Sequence, residues 1–117
     1  MNNTKYFCVL YIAPVAELDK WSKIPQEERQ ATEDALRTEW NAWLTAHAEN
    51  VKSTIGLSQA KRVDSTGVRD THNGVMLSSY VEASSLEEAA ELFKNHPHLK
   101  IPGATIDIME SNQLGQK

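Results

Sequence analysis

The sequence predicts an α+β fold of the split βαβ, ferredoxin-like kind: an antiparallel four-stranded sheet with two helices on one face. Three observations carry this. The segments follow in the order β-α-β-β-α-β, the opening strand is apolar at every position, and no repeat, linker or low-complexity stretch divides the chain. At 117 residues, with a net charge of −4 and 24% charged residues, the chain forms one domain, residues 1–117, with room for a single core.

The first strand covers residues 6–13, "YFCVLYIA". Alternation sends Phe7, Val9 and Tyr11 to one face and Cys8, Leu10 and Ile12 to the other. Both faces are apolar, so both need cover. Pro14 closes the strand and a loop is expected after it. The stretch 6–16 has the length of a signal-peptide core, but only Lys5 precedes it and it is too short to span a bilayer. It is therefore a core strand, and the protein is expected in the cytoplasm. Cys8 is the only cysteine, which excludes an internal disulfide and fits a reducing compartment.

Pro25 suits the first turn of a helix, with Glu27 and Glu28 near the positive end of its dipole. From there to about Glu49 the pattern is helical. Leu36, Trp40, Trp43, Leu44, His47, Ala48 and Val51 fall on one stripe. Both tryptophans are core or interface residues on that reading, with cofactor stacking the lesser alternative. Residues 51–74 carry the weakest signal: Gly56, Gly67 and Gly74 punctuate "STIGL" and "AKRVDS", consistent with one irregular strand. Asn73-Gly74 is a turn dipeptide. Residues 75–83, "VMLSSYVEA", then alternate Val75, Leu77 and Val81 against Met76 and Tyr80.

Ser85-Leu86-Glu87-Glu88 is a capping box and opens the second helix. Its expected apolar face is Leu86, Ala89, Ala90 and Phe93. Lys94-Asn95 suits its end, and Pro97 pushes His96 out of the α region. Pro102-Gly103 fits the centre of a type II turn. Residues 105–110 form the last strand, Ile106 and Ile108 alternating with Thr105, Asp107 and Met109. Residues 111–117, "SNQLGQK", are expected to fray. With both helices on one side, the other face of an apolar sheet is bare, and a second copy is the simplest cover; a homodimer is expected.

Several function classes drop out. The 12 Lys and Arg are scattered, with Lys61-Arg62 the only adjacent pair, which argues against nucleic acid. No membrane partner is expected. The five glycines are isolated from one another, so there is no phosphate loop or dinucleotide fingerprint, and no cofactor is expected. Cys8 lies on a strand and lacks the setting of an activated nucleophile.

What stays is His96-Pro97-His98. Three readings are open. The histidines are plain loop residues. Alternatively, His96 is an acid–base group in a pocket between the first helix and the sheet, its charge tuned by Glu39 or Asp107. In the third, both histidines ligate a metal with His47 or His72. No second ligand cluster has the usual spacing, so no metal is expected. His47 sits in the middle of the helical stripe and Glu39 at its edge.

Residues 80–110, "YVEASSLEEAAELFKNHPHLKIPGATIDIME", resemble the C-terminal half of YCII-related (DGPF-type) proteins. There a strand ends in Glu-Ala, a helix opens after Ser-Leu, and a His-Pro or Asp-Pro step precedes a glycine-led last strand. "EWNAWLTAHAENV", residues 39–51, is similar to the family's tryptophan-bearing first helix, and "CVLYIAPVA" to its opening strand. The Asp-Gly-Pro-Phe tetrapeptide is absent, with "THNGVML" in its place. The resemblance implies a dimeric α/β barrel in which two sheets pack face to face. Family members pair a first-helix histidine with an aspartate before the proline. Here Glu39 and His96 stand at those positions, so acid and imidazole have changed places. The resemblance implies a cofactor-free small-molecule enzyme of the lyase or isomerase kind. His96 would transfer the proton and Glu39 would orient it. His98 would bind an anionic or carbonyl group, and Trp40, Trp43 and His47 would wall the cavity. The alternative is a non-catalytic small-molecule binding or protein-interaction module.

Overall fold

Alternation in the first strand sets the architecture. A computed structural model describes residues 4–112. Its elements are β1 (Lys5–Ile12), α1 (Val15–Ser22), α2 (Gln26–Ala46), β2 (Val51–Gly56), β3 (Ala60–Asp64), β4 (Gly67–Thr71), β5 (Val75–Ala83), α3 (Leu86–Leu92), a 3₁₀ turn (Pro97–Lys100) and β6 (Thr105–Glu110). The main sheet has the order β2-β5-β1-β6 with every neighbouring pair antiparallel. Strands β3 and β4 form a separate two-stranded sheet. The fold is the ferredoxin-like α+β class that the sequence predicts.

Phe7, Val9 and Tyr11 are fully buried. They pack with Val81 and Ala83 of β5 against Trp43 of α2, Ala89 of α3 and Phe93, so both of these helices cover one face. Each large side chain so buried contributes about 1.5–3 kcal/mol. Cys8, Leu10 and Ile12 point the other way and are only half-buried. On that open face Cys8 lies between Tyr80 and Met109, and Leu10 between Ser78 and Asp107. Tyr6 and Tyr80 stack there at 5.4 Å while remaining 41% and 43% exposed.

Four local expectations need correction. "VAELDKWS" forms α1 rather than a loop, because the proline that ends a strand also starts a helix well. Glu17 occupies its first turn and Lys20 its last, and the Trp21 indole N–H donates to Glu33 on α2 at 3.2 Å. Next, α2 ends at Ala46, short of the predicted stripe. Ala48 is exposed, and Val51 opens β2 after its amide bonds to the His47 carbonyl. Residues 51–74 hold β2 and the β3–β4 hairpin, not one strand. Lastly, α3 turns Ala89 and Leu92 inward, followed by Phe93, whereas Leu86 and Ala90 are exposed.

Two junctions fix the frame. The Ser85 hydroxyl accepts the Glu88 amide at 3.1 Å, and the Glu88 carboxylate accepts the Ser84 amide at 2.8 Å. Gly74 has φ +79°, and a Cβ there would collide with the Ala13 carbonyl oxygen. The Ala13 amide in turn donates to Gly74 at 2.9 Å. At the Pro102-Gly103 step, Gly103 has φ +74° and the Ala104 amide reaches the Ile101 carbonyl at 3.0 Å, the expected turn. Of the tail expected to fray, residues 113–117 lie outside the described residues. Among the described residues no helix is long and apolar enough to cross a membrane.

Candidate functional site

Pro97 begins the 3₁₀ turn, where its missing N–H costs nothing. His96, held extended at φ −65° and ψ 140°, caps that turn: its Nδ1 accepts the His98 amide at 2.9 Å. The imidazole before the proline thus does what an aspartate or asparagine does at other helix starts. His98 ties the same turn to β1, its Nε2–H donating to the Ile12 carbonyl at 2.9 Å. The two rings are 2% and 1% exposed.

Aromatic rings enclose His96. Trp40 stands edge-on at 4.3 Å between centroids and Trp43 at 4.5 Å, with Tyr11 at 5.2 Å and Phe93 at 5.9 Å. Burial, reinforced by His98 and His47, pushes its pKa down to about 4. The ring is neutral at pH 7, and since Nδ1 accepts a hydrogen bond, its hydrogen sits on Nε2. Among the described residues that Nε2 has no hydrogen-bond partner. An unpaired buried donor costs about 1–3 kcal/mol. Burial also holds His98 below the ordinary histidine value, opposed by backbone bonds to Ile12 and Thr105.

Beside the histidines runs a chain of hydroxyls. Tyr11 meets Ser79 at 2.8 Å, and Ser79 meets Thr54 at 2.7 Å. Burial raises the Tyr11 pKa and the Ser79 bond opposes the rise, so the phenol keeps its proton. Sequence reasoning missed Tyr11, Phe93 and Ser79 as site residues. Ser79 had a readable signal: it is the polar member of the inward series Leu77, Ser79, Val81.

The other candidates are placed differently. Glu39 pairs with Lys100 of the 3₁₀ turn; the expected contact between Glu39 and His96 is not formed, since Nδ1 of His96 takes the His98 amide and Nε2 has no partner among the described residues. Asp107 is exposed and lies opposite Leu10, on the open face and away from His96. His98 commits Nε2 to the backbone and does not present it to an anionic or carbonyl group. His47 sits at the C-cap of α2, its Nδ1–H donating to the Trp43 carbonyl at 2.8 Å while its ring stacks on the Trp43 indole at 4.1 Å. His72 is remote, 3.9 Å from Asp19. Among the described residues no group of three His, Cys, Asp or Glu side chains is placed to hold a metal.

Two surface grooves matter. One of about 360 Å³ is lined by Trp43, His47 and Asn95 with Glu88, Glu91 and Leu92. The Trp43 indole is its wall toward His96. The larger, about 890 Å³, lies away from the histidine pair, between the base of the β3–β4 hairpin and Leu18 of α1.

No protein-family profile matches the chain, and no curated protein matches it in sequence. Among solved structures it is similar to 5-chloro-2-hydroxyhydroquinone dehydrochlorinase from Burkholderia phenoliruptrix AC1100 in complex with 2,5-dihydroxybenzoquinone. The TM-score is 0.53 at 13% identity, over 92% of this chain and 94% of that one. The 30S ribosomal protein S6 from Thermotoga maritima gives a TM-score of 0.36 at 12% identity, over 92% and 88% of the two chains. The likeness to the dehydrochlorinase agrees with the ferredoxin-like fold.

Proposed function

We propose that this chain is a homodimeric, cofactor-free small-molecule enzyme of the YCII-related kind, lyase- or isomerase-like, with His96 as the group that meets the substrate. One observation carries the reading: a neutral, buried imidazole whose Nε2–H is fixed in direction and has no partner among the described residues. An imidazole with a pKa near 4 is a poor base at neutral pH. It is a well-placed donor, able to polarise a carbonyl or phenolic oxygen and to stabilise negative charge that develops there. Acid–base work by His96 therefore narrows to hydrogen-bond donation to a developing oxyanion.

Trp40 and Trp43 would offer aromatic faces to a flat ring once the Trp43 indole leaves the His47 ring on which it stacks. The dehydrochlorinase that shares the fold is named for a chlorinated hydroxyhydroquinone and is bound to a dihydroxybenzoquinone, which makes hydroquinones and hydroxybenzoquinones the first ligands to try. Access runs through the groove at Trp43 and His47, by a swing of the stacked indole. Glu39 acts on the 3₁₀ turn through Lys100, not on the substrate. The homodimer reading draws on the open sheet face, where Tyr6, Tyr80 and Met109 are exposed.

A thermal-shift panel of such compounds tests the site, because a ligand that binds the folded state raises its melting temperature by mass action. The His96→Asn variant keeps an acceptor for the His98 amide and removes the imidazole donor. A shift of several degrees in the wild type should vanish in the variant. No shift from any member, or one that survives the substitution, rejects the reading. The full enclosure of His96 favours a second reading, in which the imidazole is only a core cap and the protein binds without chemistry; a shift with no turnover of the same compound would select it.

A further inference from the structure

Among the described residues the buried polar side chains are Ser79, His96 and His98. Tyr11 touches all three. Its hydroxyl bonds to Ser79 at 2.8 Å, and its ring lies 5.2 Å from the His96 ring and 5.7 Å from that of His98. The core has no need of this phenol for packing. Phe7, Val9 and Val81 fill the neighbouring positions with hydrocarbon alone, and a Phe–Ala pair in place of Tyr11 and Ser79 would leave no buried polar group unsatisfied there. Beyond Ser79 the line of hydroxyls goes on. Ser79 faces Thr54 across the β5–β2 pairing and bonds to it at 2.7 Å. Thr54 is half-buried on β2, an edge strand. Hydroxyls on β1, β5 and β2, neighbours in the sheet, thus lead from a fully buried phenol to a partly exposed edge.

Such a line can carry a proton. Each hydroxyl has one hydrogen and both donates and accepts, so a hydrogen can enter at one end as another leaves at the far end. Burial keeps the proton on the Tyr11 phenol, which therefore passes a hydrogen on without holding a charge. The chemistry proposed above lacks this piece. Nδ1 of His96 is taken by the His98 amide and Nε2 carries the donor hydrogen, so neither nitrogen can accept a proton that a substrate hydroxyl gives up. At 2% exposure, the ring is also out of reach of bulk water.

We infer that Tyr11, Ser79 and Thr54 form a proton relay between the enclosed site and solvent at the β2 edge, the Tyr11 oxygen receiving the hydrogen of a substrate hydroxyl whose oxygen His96 holds. This rests on the enzyme reading above. As the substrate O–H breaks, its hydrogen passes to Tyr11, that of Tyr11 to Ser79, that of Ser79 to Thr54 and that of Thr54 to water. Each O–H bond broken is matched by one formed. The substrate is left as an oxyanion, the proton is in solvent, and nothing is oxidised or reduced. Hydroxyl exchange tests the line in the free protein, read in mixed H2O and D2O from carbon-13 at the tyrosine Cζ, with the Tyr11 signal assigned by Tyr11→Phe. Thr54→Val keeps the shape and removes the last hydroxyl. It should slow exchange of the Tyr11 hydrogen at least about 10-fold, since that hydrogen must then wait for local opening. Thr54→Ser should restore the rate, and the β1 amides should exchange alike in all of these proteins. An unchanged rate in Thr54→Val, or no recovery in Thr54→Ser, overturns the relay. Should Thr54→Val loosen the sheet, seen as faster β1 amide exchange, Ser79→Ala cuts the line one link earlier and must slow the hydrogen likewise. The site end is read from the melting shift given by hydroquinone. Tyr11→Phe should reduce that shift, and a full shift in Tyr11→Phe takes the relay away from the site and overturns it. If hydroquinone gives no shift in the wild type, the enzyme reading falls and the substrate end with it, whereas Thr54→Val decides the line of hydroxyls by itself.

Discussion

His96 is held neutral twice, once by the rings around it and once by the bond its Nδ1 accepts. That has a pH consequence with a definite sign. Unfolded, this imidazole takes up a proton near 6.5; folded, near 4. Between those values the unfolded chain binds more protons, so stability is fully present above about pH 6.5 and is lost as the pH falls toward 4. At about 1.4 kcal/mol per unit, acidification from pH 7 to 5 should cost about 2 kcal/mol in urea denaturation, and His98 pushes in the same direction. The His96→Asn variant should lose correspondingly less. An equal loss in wild type and variant would assign the acid sensitivity elsewhere. The sequence showed some of the residues that gather here but not how they pair. A pre-proline imidazole and two tryptophans on one helical stripe were legible. The pairing of Glu39 was not, because a lysine on the following turn, Lys100, is a better partner for a carboxylate than a buried neutral ring. That choice depends on tertiary placement.

Elements with an apolar period were readable, and those without one were not. β1, α2, β5 and β6 bury one face and therefore alternate or repeat. α1 is a short helix with no buried residue, and β3 and β4 expose nearly everything, so periodicity had nothing to report. The hairpin did leave one local mark in "DSTG": Asp64 accepts the Thr66 amide at 2.9 Å, and Gly67 follows at φ +137°. Turn chemistry, not hydrophobic pattern, is what finds an exposed hairpin. Two junction substitutions test the element frame by urea denaturation. Ser85→Ala removes the acceptor for the Glu88 amide and should cost about 1 kcal/mol, with Ser85→Asp restoring most of it. Gly74→Ala should cost more than about 1 kcal/mol, since it places a side chain at positive φ against the Ala13 carbonyl. If Gly74→Ala proves the milder of the two, the close approach of β5 to the end of β1 is not maintained in solution.

At the scale of the whole molecule, Cys8 reports on the open face as its sole thiol, half-buried beside Ser78 at 3.8 Å. If a second copy covers that face, labelling of Cys8 by a thiol reagent should slow at least several-fold between dilute and concentrated protein. A rate independent of concentration would leave the face uncovered. The same strand meets a different problem before any partner is present. Among the described residues β1 pairs with β5 and β6 alone, so the most apolar strand is made well before either of its neighbours. At about 5–20 residues per second it emerges from the ribosome several seconds before Val75–Ala83 can pair with it. No local partner exists in that interval, since α1 and α2 cover one face at most and leave its backbone edges bare. Until β5 is made, the nascent chain therefore carries an apolar strand with unpaired edges, which is the kind of segment that aggregates. Slowing translation across residues 13–74 should lower the soluble yield without altering the finished fold.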